Sequence, residues 1–157
     1  MSRRLLLCVL LASTTILSAC SEKGDGLVKH QVTGKVLING KPYKNVVVSF
    51  FATDPNVKGN AATPIAATAE DGTFTLSTNG ENDGAVAGDY RVTFFWQDGG
   101  SGMTDYLRGK YSNIDGTKFK VSIGSGEQQL KAFELETTEA NIAAASKALA
   151  SQRKSVN

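Results

Sequence analysis

Gly88-Asp89-Tyr90-Arg91-Val92-Thr93-Phe94-Phe95-Trp96 is the stretch that decides the fold. Tyr90, Val92, Phe94 and Trp96 fall on one side of a period-2 pattern, and Arg91, Thr93 and Phe95 on the other. Such a row of aromatic and β-branched side chains suits a pleated strand with one face in a core. It has no 3.6-residue repeat, so a helix is excluded here.

Working outward, other segments obey the same rule. Val32, Gly34, Val36 and Ile38 alternate with Thr33, Lys35 and Leu37. Asn39-Gly40 follows, a two-residue hairpin signal because both residues tolerate positive φ, and Pro42 suits the start of the next strand. Asn45 to Ala52 is apolar on both faces through Val46-Val47-Val48-Ser49-Phe50-Phe51, as in a strand deep in a sandwich. Asp54-Pro55-Asn56 and Gly59-Asn60 mark a loop over 53–63. Pro64 to Ala69 reads as a weak strand, and Glu70-Asp71-Gly72 turns it into Thr73 to Ser77, with Phe74 and Leu76 inward. Residues 78–87 and the glycine-rich segment 97–105 read as mobile loops. Lys118 to Ile123 turns Phe119, Val121 and Ile123 inward, and Gln128 to Glu136 does the same with Phe133 and Leu135. Leu130 is out of phase, which predicts a bulge or an edge. Seven short strands with turns every 8–12 residues predict an all-β chain, a seven-stranded antiparallel β-sandwich of Ig-like architecture.

The two ends differ from this middle. Arg3 and Arg4 precede a mainly apolar run, Leu5 to Leu17, of signal-peptide length and too short for a span of roughly 18 residues. It closes on Leu17-Ser18-Ala19-Cys20, which resembles the bacterial lipobox: cleavage falls between Ala19 and Cys20, and the Cys20 thiol is acylated. Each acyl methylene in the bilayer contributes about 0.8 kcal/mol, so more than one chain holds a protein stably. Residues 1–19 are then a signal helix that is removed, 20–30 a flexible tether, and 31–136 the sandwich. Residues 137–157 form an alanine-rich tail, predicted as a short C-terminal helix capped by Thr138, with Glu139 at its positive end and Arg153 and Lys154 at its negative end. Its apolar stripe (Ile142, Ala145, Leu149) is thin enough to fray.

Charge and cysteine content narrow the function classes. Without Arg3 and Arg4 the 17 basic residues fall to 15, equal to the 15 acidic ones, so no nucleic-acid partner is implied. Cys8 leaves with the signal and Cys20 carries lipid, so the mature domain has neither thiol nor disulfide. The single histidine, His30, lies in the tether. A Ser-His-Asp or Cys-His arrangement therefore lacks a base, and no zinc set assembles. Cofactors are expected to be none. A carboxylate pair for glycoside hydrolysis remains open on composition, although the acids sit mostly in turns such as Glu70-Asp71 and Glu81-Asn82-Asp83. Calcium is the one metal to weigh, because Asn79, Glu81, Asn82 and Asp83 share one loop, yet their spacing is not that of an EF-hand.

Trp96, Tyr106 and Tyr111 flank the glycine-rich loop. They fit either an aromatic patch that stacks on sugars or grips a protein, or a tryptophan capping the core with tyrosines on its rim. Arg108, Lys110 and Lys118 form a basic cluster nearby, read as a solvated face or a phosphate site.

The ordered set Val32-Thr33-Gly34-Lys35-Val36, Asn39-Gly40-Lys41-Pro42, Val46 to Phe50, Thr68 to Phe74, Gly88 to Thr93 and Lys110-Tyr111-Ser112 resembles the carboxypeptidase regulatory-like domain with a transthyretin-like (prealbumin-like) sandwich, as found in small bacterial lipoproteins. The resemblance spans about Gln31 to Leu135. It implies a fold and a location, and a tyrosine-corner arrangement for Tyr90. Hydroxyisourate hydrolases and intradiol dioxygenases resemble this fold at a distance, but their histidine and iron-ligand patterns are missing from this sequence. Related adhesin domains form Lys–Asn isopeptide bonds beside a buried acid, for which Lys35 and Lys44 are the candidate lysines.

The expected function is a non-catalytic, lipid-anchored envelope module for protein or glycan interaction. The alternatives are a carboxylate-dependent carbohydrate-active hydrolase or a structural spacer. Ser21 lacks the acid that retains lipoproteins at the inner membrane in some bacteria, which favours the outer membrane.

Overall fold

The computed structural model describes residues 26–97 and 104–155. The signal helix, Ala19 and Cys20, the glycines of 98–102 and the Arg153 and Lys154 side chains lie outside the described residues.

The long strand β8 (Gly88–Trp96) is the axis of one sheet. It pairs antiparallel with β4 (Val46–Ala52) over seven positions, from Val46 opposite Trp96 to Ala52 opposite Tyr90. β5 (Ile65–Ala67) extends this sheet beyond β4, and β9 (Lys120–Ile123) extends it beyond β8. The other sheet is built on β2 (Val32–Ile38). Along one flank β2 takes β3 (Lys41–Pro42) and β6 (Thr73–Thr75), both antiparallel. Along the other it takes β10 (Gln128–Gln129) and β11 (Phe133–Leu135).

These last two strands run parallel to β2, so the sandwich is mostly, not wholly, antiparallel. Alternation sets which side chains face inward but not the direction of the neighbour, so the sequence could not show this. The predicted 128–136 strand is also split. Leu130 N–H still reaches the Thr33 carbonyl at 2.8 Å, then the chain leaves the ladder until Phe133. That break is what the phase slip at Leu130 predicted.

The alternating residues are the core. Val32, Val36 and Ile38 of one sheet meet Val46, Val48, Phe50, Val92 and Phe94 of the other in one buried cluster. Each such side chain contributes about 1.5–3 kcal/mol through burial. Gly34 faces the same way, and the Phe74 ring lies where its Cβ would be. Asn39 (φ 49°) and Gly40 (φ 74°) make the β2–β3 hairpin as expected. Tyr90 fills the core while its hydroxyl donates to the Val86 carbonyl at 2.8 Å. Desolvation pushes that hydroxyl's pKa up.

Two expectations about the ends change. The tether does not run through His30: β1 (Lys29–His30) pairs with β7 (Ala85–Val86). His30 Nδ1 also accepts the Gly126 N–H at 3.0 Å, which ties the domain's entry to the β9–β10 turn. The tail helix α1 (Glu139–Ser155) docks instead of fraying. Ala145 is fully buried in the core cluster, and Ile142 and Ala148 pack against it. Thr138 caps the helix, accepting Asn141 N–H on Oγ1 at 3.3 Å. Asn39 accepts the Thr137 N–H at 3.0 Å and donates to the Thr137 carbonyl at 2.9 Å, so the hairpin turn also fixes the helix start.

Candidate functional site

The aromatic trio is divided by the fold. Trp96 is 0% exposed and Tyr106 is 6% exposed, which removes both from any surface patch. The Trp96 ring lies 4.7 Å from Tyr43 and 5.8 Å from Tyr106, and its Nε1–H donates to the Lys44 carbonyl at 3.1 Å. Asp105 holds the closing loop in place. Its carboxylate accepts N–H groups from Trp96 at 3.1 Å, Leu107 at 2.9 Å and Gly109 at 2.7 Å. Tyr106 is pinned from behind, because its carbonyl accepts the Thr137 hydroxyl.

Tyr111 behaves differently. It is half-buried and lines a cleft of about 350 Å³ with Phe119, Lys110, Lys118, Asn113 and Glu136. The segment 110–119 leaves β8 and returns to it. The Tyr111 carbonyl accepts the Phe94 N–H at 3.0 Å, and the Phe119 carbonyl accepts the Val92 N–H at 2.9 Å. Thr117 clips the return by donating its hydroxyl to the Val92 carbonyl at 2.7 Å. Between these points Asn113 Oδ1 accepts the N–H groups of Asp115 and Gly116, closing a tight turn.

The cleft's wall is aromatic and its rim is charged. Tyr111 and Phe119 lie 6.0 Å apart, and both stand edge-on to Phe94. The Tyr111 hydroxyl oxygen accepts the Glu136 N–H at 2.8 Å, joining this segment to the end of β11. Lys110 sits 5.3 Å over the Tyr111 ring and Lys118 sits 5.2 Å over Phe119. Lys110 is also 3.7 Å from the Glu136 carboxylate, whereas no ion pair is formed by Lys118 among the described residues. Of the predicted basic cluster, Lys110 and Lys118 meet here. Arg108 turns to a neighbouring groove and donates to Asn141 Oδ1 at 3.2 Å.

Phe119, Asn113 and Glu136 were not singled out as site residues by sequence reasoning. The paired Lys110-Tyr111 and Lys118-Phe119 dipeptides were the usable signal. Glu136 had none, because only the parallel docking of β11 brings it here.

The remaining candidates resolve on geometry. In the proposed calcium loop the Asp83 carboxylate accepts N–H groups from Thr78, Asn79 and Gly80 at 2.6, 3.1 and 3.0 Å. Burial pushes its pKa up, but these donors and Lys29 outweigh that and hold it below the usual carboxylate value. A carboxylate spent on three N–H groups is a loop clamp, with little left for a cation. Lys44 is exposed and Lys35 only half-buried, and no acid is buried among the described residues, so the isopeptide arrangement does not form. The cleft described above, the groove beside Arg108 and a third at Thr53, Asp89 and Ser122 are each lined by a single acid. A glycosidase pair needs two, about 5–9.5 Å apart.

No known family model matches the chain, and no curated protein sequence matches it either. Several solved structures are similar to it. A DUF3823 family protein from Parabacteroides merdae aligns over 71% of this chain and 47% of its own, at 17% identity and a TM-score of 0.40. The major pilin subunit of Bacillus cereus aligns over 71% of this chain and 30% of its own, at 13% identity and a TM-score of 0.42. The dioxygenase domain of a dioxygenase–carbohydrate-binding protein fusion from Streptomyces sp. SirexAA-E aligns over 74% of this chain and 84% of its own, at 21% identity and a TM-score of 0.40. The chain thus spans under half the length of the first two. Its own strand pairings make it a β-sandwich.

Proposed function

We propose that this chain is a lipid-anchored β-sandwich of the bacterial envelope that binds an envelope protein or glycan without catalysing a reaction. The observation that carries the reading is Leu17-Ser18-Ala19-Cys20 placed directly after Arg3-Arg4 and the thirteen-residue apolar run. The rest of the chain is consistent with it. Eight residues, 21–28, separate Cys20 from β1, which extended would reach about 26–29 Å from a lipid surface. Ser21 after the cysteine favours the outer membrane. The single histidine is held in a backbone contact at the domain's entry, and none of the three clefts described above is lined by a histidine.

The test is Cys20→Ser in the bacterial host, followed by fractionation and labelling with radioactive palmitate. The wild-type chain should carry label and sediment with membranes. The variant should lose the label and retain residues 1–19. A wild-type chain that is unlabelled, or that is already free of the membrane fraction, would refute the anchor.

A further inference from the structure

We infer that the cleft formed by residues 110–119 and Glu136 binds a carboxylate-bearing saccharide, which deepens the binding reading above and rests on it. The donors come first. Lys110 and Lys118 place two ammonium groups on one cleft of about 350 Å³, a volume in the range of small-ligand sites. Asn113 spends its Oδ1 within its own turn and leaves its NH₂ as a further donor on the same wall. The one carboxylate present, Glu136, is shared with Lys110. Lys118 brings a charge that no acid offsets among the described residues. A donor-rich, net positive wall fits a ligand rich in acceptors and carrying negative charge.

The aromatic rings then select among anions. Tyr111 and Phe119 are half-buried, and Phe94 holds both rings edge-on from beneath. They offer a fixed aromatic wall over which Lys110 and Lys118 lie, so a sugar carboxylate that draws the Lys118 ammonium off Phe119 leaves that ring to the C–H face of the sugar. An extended acidic peptide fits less well. Peptides that add to a sheet need free ladder groups. Here the Tyr111 and Phe119 carbonyls are already taken by Phe94 and Val92. The cleft is also tied down before a ligand arrives, by the Thr117–Val92, Tyr111–Glu136 and Asn113 contacts. Little ordering cost remains at binding.

The test is titration of the detergent-solubilised full chain with trigalacturonate, with the neutral trisaccharide of galactose, and with triglutamate, followed by calorimetry and amide NMR. Trigalacturonate should bind and shift the amides of Asn113, Lys118 and Phe119. The neutral sugar should bind at least tenfold more weakly. Lys118→Gln should weaken trigalacturonate at least tenfold with its unfolding midpoint unchanged, and raised salt should weaken it too. Equal binding of the acidic and neutral sugars, an unaffected Lys118→Gln, or a preference for triglutamate would each overturn the inference. No binding of any probe would also overturn it, while leaving the membrane anchor to stand or fall on Cys20→Ser.

Discussion

Trp96 ends the aromatic row of β8 and Tyr111 comes after it, on the two sides of the same glycine-rich segment, yet they meet opposite fates. Trp96 is sealed by three structures that arrive from elsewhere: Tyr43 across the sheet, Tyr106 behind it and the Asp105 clamp over its backbone. Tyr111 receives the β11 end on one side only, through the Glu136 N–H, and its other side opens on the cleft. The contrast shows that an aromatic near a glycine-rich loop becomes core or surface according to what closes over it. The Trp96 neighbourhood serves stability. The Tyr111 neighbourhood is free to serve recognition, because the rings there rest on the core without completing it.

The largest test of this contrast is Trp96→Ala. Removing a fully buried tryptophan should cost about 3–5 kcal/mol of unfolding free energy in a urea titration. A loss near 1 kcal/mol would place Trp96 outside the core and erase the distinction. Tyr111→Phe should cost less, about 1 kcal/mol, since it removes a hydroxyl that accepts the Glu136 N–H and donates to the Glu136 carbonyl at a half-open site, and keeps the ring. A loss as large as that of Trp96→Ala would mean the cleft wall is structural after all.

The smallest effect is local and comes from acid. The Asp83 carboxyl lies below its usual value when folded, so its contribution is complete above the unfolded value near 3.9 and fades as the pH falls through the lower folded one. The amide signals of Thr78, Asn79 and Gly80 should titrate together with a midpoint below about 3.9. The Trp96 indole signal should stay still over the same range. A midpoint at or above 3.9, or a Trp96 signal moving in step, would mean that acid acts on the whole domain and not on this turn.

Much of the sandwich is legible residue by residue. Tyr90, Val92, Phe94 and Trp96 point inward as their alternation predicts, and so do Val32, Val36 and Ile38. Asn39-Gly40 turns where its φ preferences allow. The candidate site is legible only in part. Lys110, Tyr111 and Lys118 were visible as chemistry but not as neighbours of Phe119 and Glu136. For Trp96 and Tyr106 the sequence left core and surface patch both open, and burial decided for the core, because chain proximity to a loop carries no information about what packs over it. His30 was placed in a tether because its partners, the strand Ala85–Val86 and the Gly126 N–H, are remote in sequence.

By itself the sequence determined the longer strands, the tight turns, the capped tail helix and the charge balance, all of which follow from side-chain period and local φ and ψ. It predicted seven strands where the described residues form eleven, because two-residue strands such as Lys29–His30 and Ala85–Val86 have no period to read. The tertiary structure alone decided that β10 and β11 run parallel to β2, that Ala145 seats the helix on the core and that Glu136 reaches Tyr111. The physical reason is range. A period or a turn is set by neighbours within a few residues, while the closure of a cleft depends on segments brought together by burial, and burial does not depend on their separation along the chain.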